Sequence, residues 1–275
     1  MALAQQSAAE AAFSPPPLDE VKASFAERGY LVLPGAVPPA MLSDLRARIL
    51  LRFEAAKSDG RLFPGGGNLS GHLNCFPGKD ARLIYDVLER RGIVDVIRAL
   101  FPGVRRLPNV GCNLNLPGSV EQHYHADRPF TQEFPILNVA MADTTIANGA
   151  IDLLPGTHRK FYPFWRFVLE RAHQGSTRVP LRQGDVLVRT SNLWHRGMPN
   201  LTSVPRPMLA FTWEDGGSAL DDPFLFESGE IAFRPNWFRT DWRGRLRERT
   251  FVAAPFTYDA YRFVRSLLGS KGYDH

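Results

Sequence analysis

The stretch Pro207-Met-Leu-Ala-Phe-Thr-Trp213 is a short run rich in strand-forming residues, and it closes a series of such runs that begins after Leu107. Runs of this kind, separated by glycine, proline and asparagine, are typical of β-strands. The others cover residues 110–116, 134–142, 151–154 and 185–189. Several strands with few helices among them favour a closed or two-layered all-β architecture. The sequence therefore predicts a mainly β fold with flanking helices, built as a double-stranded β-helix, or jelly roll.

The chain before this β-rich half has helical periodicity. Apolar residues at helical spacing predict helices over 18–28 and 38–57, a strand over 30–34 between them, and two short helices within 79–101 that break at Arg91-Gly92. A helical insertion is expected at 161–174. Residues 60–78 carry Gly65-Gly-Gly67, two prolines, His72 and Cys75, a composition that favours an exposed loop, which could form a lid.

Length and composition predict one globular domain over residues 18–275, after a flexible N-terminus, 1–17, that ends at Pro15-Pro-Pro17. The net charge of +5 is thinly spread except in an arginine-rich C-terminal extension, where a solvated surface is expected, so we expect no nucleic-acid partner. No run of about 18 apolar residues predicts a transmembrane segment. With no signal peptide and only two cysteines, a cytoplasmic location is expected.

His125, Asp127 and His195 have the composition of a mononuclear metal site. An H-x-D sequence at the end of a strand points both side chains to one face, because strand side chains alternate. Two imidazoles and one carboxylate suit one face of octahedral iron(II) and leave three positions open for a bidentate 2-oxoacid and dioxygen. A guanidinium at Arg206 would bind the distal carboxylate of that acid through paired hydrogen bonds.

Two other interpretations of these histidines stay open at this point. The run His123-Tyr-His125-Ala-Asp127 partly matches the H-x-H-x-D-H signature of binuclear zinc hydrolases, but Arg128 stands where that signature requires histidine. The histidines could also bind a metal in a jelly-roll protein that has no oxygenase activity. Arg206 argues against the second alternative, since a structural metal site needs no group that binds a carboxylate.

The order of the motifs resembles the phytanoyl-CoA dioxygenase family of iron(II)- and 2-oxoglutarate-dependent oxygenases. The resemblance rests on H-x-D at 125–127, N-G-x5-P-G-T-H at 148–158, G-D-x-L at 184–187, W-H-x-G-x-P-N at 194–200 and the P-R that ends at Arg206. It implies a jelly roll that uses iron(II), 2-oxoglutarate and dioxygen. Iron would be bound by His125, Asp127 and His195, and the C5 carboxylate of 2-oxoglutarate by Arg206.

The same resemblance suggests Gln122 and Thr145 as secondary 2-oxoglutarate contacts. Related halogenases have a small residue in place of the carboxylate, so Asp127 favours hydroxylation or another oxidation of an unactivated C–H bond. Arg128, Trp194 and His72 are the candidates for substrate contact, although His72 alone is more typical of a surface or loop residue.

The substrate is expected to be a neutral or anionic small metabolite, such as a sugar, an acyl compound or a natural-product intermediate. The runs 113–119 and 193–201 most resemble aminoglycoside-modifying members of the family. However, Arg128, Arg159 and Lys160 near the motifs would repel a polycationic sugar.

Overall fold

The computed structural model describes residues 13–270, in which ten strands form two antiparallel sheets. The strands are β1 (Tyr30–Leu33), β2 (His72–Phe76), β3 (Asn109–Asn115), β4 (Pro135–Ala140), β5 (Ile151–Leu153), β6 (Thr177–Val179), β7 (Val186–Thr190), β8 (His195–Arg196), β9 (Arg206–Thr212) and β10 (Ala232–Arg234). The larger sheet has the order β1-β7-β4-β9-β3-β2-β10, and the smaller sheet has the order β6-β5-β8. His125 extends the smaller sheet through an antiparallel bridge to His195. These two sheets form the predicted jelly roll.

Seven α-helices flank the sheets in the described part of the chain. They are α1 (Leu18–Arg28), α2 (Pro39–Ser58), α3 (Ala81–Arg90), α4 (Ile93–Leu100), α5 (Phe164–Leu169), α6 (Trp242–Ala253) and α7 (Pro255–Leu267). The predicted break between α3 and α4 is confirmed at Gly92, which adopts a left-handed conformation with φ of 73°. Within residues 13–270, no helix is long and apolar enough to cross a lipid bilayer.

Alternation along the strands of the large sheet places side chains in two different apolar cores. Leu137 of β4 and Leu209 of β9 belong to the main core, which the large sheet shares with helices α1 to α4. Their strand neighbours Ala140 and Met208 face the other way and pack with Leu153 of the small sheet. Because side chains alternate along a strand, every second residue of β9 points into the space between the sheets, and Arg206 is one of these residues.

The prediction of an exposed loop over residues 60–78 is wrong. Residues 72–76 form β2, which pairs with β3 on one side and with β10 on the other, and His72 and Cys75 are buried. The preceding glycines are buried as well. Gly67 has φ of 102°, and a Cβ there would lie 2.3 Å from the His72 carbonyl oxygen, so glycine is required. The segment is therefore part of the sheet framework.

The two ends of the chain lie against the main domain where the structure describes them. Residues 1–12 of the predicted flexible N-terminus are outside the described residues, and Phe13, which follows them, is partly buried against the main core. At the other end, the prediction of solvated arginines is confirmed for four side chains, which are exposed: Arg239, Arg243, Arg247 and Arg249. Residues 271–275 are outside the described range.

Candidate functional site

The side chains of His125, Asp127 and His195 meet between the two sheets. One donor atom from each lies within 4.8 Å of the other two, and His195 Nε2 is 3.7 Å from Asp127 Oδ1. The backbone pairing of His125 with His195 produces this convergence: each backbone N–H donates to the other's carbonyl oxygen at 2.9 Å. The structure thus brings together the three residues that the sequence predicts as metal ligands.

Backbone carbonyls fix the orientation of both imidazoles. His125 Nδ1 lies 2.9 Å from the His123 carbonyl oxygen, and His195 Nδ1 lies 2.9 Å from the Leu193 carbonyl oxygen. A carbonyl oxygen can only accept a hydrogen bond, so Nδ1 carries the proton in each ring. Nε2 is then the nitrogen with the lone pair, as a metal ligand requires.

Arg189 holds Asp127, the third candidate ligand, in place. The sequence analysis did not identify Arg189 as part of the site. Its Nη1 donates to Asp127 Oδ2 at 2.6 Å, while Oδ1 is the oxygen that faces His195. Burial disfavours the charged carboxylate, but the charge of Arg189 and its hydrogen bond outweigh burial and hold the pKa of Asp127 well below its usual value. An arginine at the end of the predicted strand 185–189 was the available signal, since a buried charge needs a partner.

The donor set fits a mononuclear iron(II) site and not a binuclear one. Two imidazole nitrogens and one carboxylate oxygen on one face match the arrangement that leaves positions open for other ligands. His123, the extra ligand of the hydrolase interpretation, packs instead against Tyr258, with ring centroids 4.7 Å apart, and against Trp237 and Phe251. Across residues 13–270, the metal-compatible cluster contains only His125, Asp127 and His195.

Arg206 supplies a buried positive charge. Its side chain donates to the carbonyl oxygens of Asn148 and Gly149, at 3.3 and 3.0 Å, and burial lowers its pKa to about 10. No carboxylate among the described residues forms an ion pair with it. A buried cation without a counter-charge is costly, so the arrangement favours an anionic ligand, and a guanidinium matches a carboxylate in geometry.

His72 lies in the same row of the large sheet as Arg206. The register pairs His72 with Asn115 and Asn115 with Arg206, so the three side chains share a face. The ring of His72 makes a 2.8 Å hydrogen bond with the carbonyl oxygen of Val120, and burial, together with the charge of Arg206, lowers its pKa to about 4. His72 is therefore a neutral member of the site.

A cavity of about 470 Å³ is lined by two members of the triad, His125 and Asp127. Gln122 lines it, and its Oε1 accepts a hydrogen bond from the backbone N–H of Gly197, two residues after His195. Four lining residues come from the C-terminal extension, which sequence reasoning did not connect with the site: Asn236, Trp237, Phe238 and Phe251. These four residues line the cavity only because the chain after β10 folds back onto the sheets, so no local sequence pattern indicates their position.

Two residues proposed from the sequence lie away from the triad. Trp194 is 1% exposed and stacks on Phe167 in a small core, with ring centroids 4.7 Å apart, so the prediction that it contacts substrate is wrong. Thr145 is exposed and forms a turn with Asn148, in which each side-chain oxygen accepts from the other residue's backbone N–H. Its contact with 2-oxoglutarate stays a prediction.

Arg128, Arg159 and Lys160, which were expected to repel a polycationic substrate, do not lie in one cavity. Arg128 lines the cavity, but its guanidinium forms a two-point ion pair with Glu214, at 2.7 and 3.2 Å. Arg159 and Lys160 border a different surface pocket, beside α1. These three positive charges therefore give no reason to exclude a polycationic substrate.

The model of the phytanoyl-CoA dioxygenase (PhyH) family matches residues 25–208, which is more than half of the chain. The chain belongs to this family. Members of this family are 2-oxoglutarate-dependent oxygenases, and the cofactors of the family are iron(II), 2-oxoglutarate and dioxygen. Among curated proteins, the dioxygenase lolE1 of Epichloe uncinata is 30% identical over 106 residues, which cover 36% of this chain and 41% of lolE1. The match thus spans less than half of that relative.

Solved structures with the same fold include two that contain a metal ion and 2-oxoglutarate. AviO1 from Streptomyces viridochromogenes Tue57 is 21% identical with a TM-score of 0.55, covering 76% of this chain and 99% of AviO1. The epimerase SnoN, in complex with Fe³⁺, α-ketoglutarate and nogalamycin RO, is 20% identical with a TM-score of 0.52, covering 71% and 82% of the two chains. HygX from Streptomyces hygroscopicus, with nickel and 2-oxoglutarate bound, is 20% identical with a TM-score of 0.50, covering 72% and 87%.

Proposed function

We propose that this oxygenase oxidises an unactivated C–H bond of a small molecule, with His125, Asp127 and His195 as iron ligands and Arg206 as the residue that binds the C5 carboxylate of 2-oxoglutarate. The observation that carries the proposal is that the imidazoles of His125 and His195 lie close to a carboxylate oxygen of Asp127. In each imidazole, Nδ1 is hydrogen-bonded to a backbone carbonyl oxygen. Such a set leaves half of an octahedral coordination sphere for ligands from solution.

Iron(II) and 2-oxoglutarate, when bound, supply with dioxygen the oxidising power that removes a hydrogen atom from such a bond. The protein contributes position and charge. The carbonyls of His123 and Leu193 keep both imidazoles in the tautomer that can bind metal, and Arg189 keeps one carboxylate oxygen directed away from the metal position. Arg206 gains the counter-charge that it lacks when the distal carboxylate of 2-oxoglutarate binds.

Hydroxylation is the outcome that the ligand set favours. Asp127 places a carboxylate where halogenating relatives have a small side chain, so no position is left for a halide in its place. The half-open cavity of about 470 Å³ lies within the roughly 300–1,000 Å³ that is usual for small-molecule sites. We therefore propose succinate, carbon dioxide and a hydroxylated small molecule as the products.

The experiment is to measure succinate released from 2-oxoglutarate by the iron-loaded protein, first without substrate. We expect slow turnover in wild type and none above background in His125→Ala, Asp127→Ala or His195→Ala. His173→Ala is the matched control, because His173 is an exposed histidine outside the triad, and it should release succinate as wild type does. Wild-type turnover in any of the three triad variants would contradict the assignment of ligands.

A further inference from the structure

The cavity lined by His125 and Asp127 also restricts the chemical class of the substrate. We propose, on the basis of the function proposed above, that the substrate is a neutral, hydroxyl-rich ring compound, a glycoside or cyclic polyol, bound by the carboxamides of Asn74 and Asn113 and by the indole of Trp237. Three features of the cavity carry this proposal: its balanced charges, its unengaged amides and its aromatic wall.

The charged side chains that line the cavity already have counter-charges. Asp127 pairs with Arg189 at 2.6 Å, and Arg128 pairs with Glu214 through two contacts. Arg206 does not line this cavity and is assigned to 2-oxoglutarate. A substrate with a phosphate, a carboxylate or several amines would be desolvated in this cavity without a charge of opposite sign to bind it. A neutral substrate avoids that cost.

Two carboxamides face the cavity with their hydrogen-bonding groups available. Asn74 of β2 and Asn113 of β3 are directly opposite each other in the register, so their side chains share one face of the sheet. Neither side chain hydrogen-bonds to any group of the described chain. Asn236 differs, because its amide already donates to the His72 carbonyl oxygen and accepts from the Phe238 backbone N–H.

A carboxamide suits a hydroxyl-bearing ligand, because it presents two donors and one acceptor side by side. A hydroxyl group is both donor and acceptor, so adjacent hydroxyls on a ring can bond to both ends of one amide. Thr212, which lines the same cavity, adds a hydroxyl that makes no side-chain hydrogen bond within residues 13–270. Together these groups form a row of uncharged partners.

One wall of the cavity is aromatic and belongs to the C-terminal extension. Trp237 stacks on Phe238, with centroids 3.6 Å apart, and meets His123 edge-on at 5.5 Å. An indole provides a flat apolar surface for the C–H face of a ring. This wall lies outside residues 25–208, which match the family. It is therefore an addition to the part of the chain that the family model describes.

Buried Glu248 of α6 fixes this extension on the sheet. Its Oε1 accepts hydrogen bonds from the backbone N–H groups of Gly67 and Ser70, at 3.0 and 2.8 Å, and from the Ser70 hydroxyl at 2.9 Å. Ser70 leads into β2, which carries Asn74. The amides and the aromatic wall are thus held in one rigid arrangement.

The test uses the full chain, loaded anaerobically with iron(II) and 2-oxoglutarate, and sugars that differ only in charge. The neutral probes are methyl hexopyranosides of the gluco, galacto and manno series, the cationic probes are the corresponding 2-amino sugars, and the anionic probes are the corresponding 6-phosphates. Binding is read by calorimetry and by the change each probe causes in the visible charge-transfer band of the chelated 2-oxoacid. We expect a neutral glycoside to bind at least tenfold more tightly than its charged counterparts.

Variants then locate the binding groups. Asn74→Ala and Asn113→Ala should each weaken glycoside binding by up to about tenfold, the loss expected for one hydrogen-bonding side chain, and Trp237→Ala should weaken it at least as much. Asn109→Ala is the matched control, because Asn109 lies on the same strand as Asn113 but does not line the cavity. The charge-transfer band in each variant reports that iron and 2-oxoglutarate still bind.

The proposal is overturned if the band forms and no neutral glycoside binds, if a charged probe binds more tightly, or if Asn74→Ala and Asn113→Ala both bind as wild type does. A protein that is folded and iron-loaded but gives no band contradicts the proposed function itself, and the substrate class falls with it. The two failures are therefore distinguishable.

Discussion

Replacing Arg189 by methionine tests whether the ion pair behind the triad holds the site together. Methionine retains an unbranched side chain of similar reach but removes the guanidinium, so Asp127 Oδ2 loses its 2.6 Å hydrogen bond. Removing one partner of a buried pair costs about 3–5 kcal/mol. The side chain of Arg189 is 7% exposed and that of Asp127 is 28% exposed. Because Asp127 stays partly hydrated, we expect a loss near the lower limit, about 3 kcal/mol.

The assay is urea-induced unfolding of the metal-free protein in a double-mutant cycle. Wild type, Arg189→Met, Asp127→Asn and the double variant are compared by their free energies of unfolding. Each single variant leaves one buried charge without its partner, whereas the double variant leaves none. The double variant should therefore be more stable than the sum of the two single losses predicts, by about 2 kcal/mol.

A divalent cation should partly replace the lost charge. Because Ni²⁺ or Mn²⁺ would bring positive charge to Asp127, either ion should raise the Tm of Arg189→Met by more than it raises the Tm of wild type. The reasoning is refuted if Arg189→Met unfolds within about 0.5 kcal/mol of wild type and the two substitutions are additive.

Three further predictions concern neighbouring groups. Burial, with a smaller contribution from Arg206, gives His72 a folded-state pKa of about 4 against 6.5. Above pH 6.5 the ring of His72 is neutral in both the folded and the unfolded protein. As the pH falls from 6.5 toward 4, the unfolded protein takes up a proton on this ring more readily than the folded protein does, so the folded state loses stability. Over that range wild type should lose about 3 kcal/mol more unfolding free energy than His72→Gln, and parallel pH profiles would contradict the assignment. Glu248→Ala should increase hydrogen exchange at residues 65–71, whereas Glu248→Gln, which keeps an acceptor, should change it little; equal exchange in both variants would argue against the anchoring role. Trp194→Ala should cost about 3–5 kcal/mol in chemical unfolding, as a large core residue does, and a loss below about 1 kcal/mol would place Trp194 outside the core.

The elements that could be predicted from the sequence are those with local signals. The helix over 18–28 and the break at Arg91-Gly92 follow from periodicity and glycine, and both match the structure. Strands β2 and β10 were missed because they are short and are defined by the strands with which they pair. The sequence analysis assigned no bounds to helices α6 and α7, and no continuous apolar face marks α6 in the sequence.

In the site as well, the residues that could be predicted are those with a local sequence signal. The triad could be predicted because an H-x-D spacing places two side chains on one strand face. Alternation also shows why Trp194 was misassigned: it is adjacent to His195, so its side chain points to the opposite face, into the small core. The partnership of Arg189 with Asp127 joins residues 62 positions apart. Such a pair depends on strand order, which no local pattern in the sequence encodes.

We propose that a metal ion bound by His125, Asp127 and His195 binds a 2-oxoacid whose distal carboxylate is held by Arg206. The most direct test is an anaerobic titration of the iron(II) protein with 2-oxoglutarate, followed by the visible charge-transfer band, in wild type, Arg206→Lys and Arg206→Ala. We expect a saturable band in wild type, weaker 2-oxoglutarate binding in Arg206→Lys and the weakest in Arg206→Ala. Equal affinity in all three proteins, or no band in a folded and iron-loaded wild type, would contradict it.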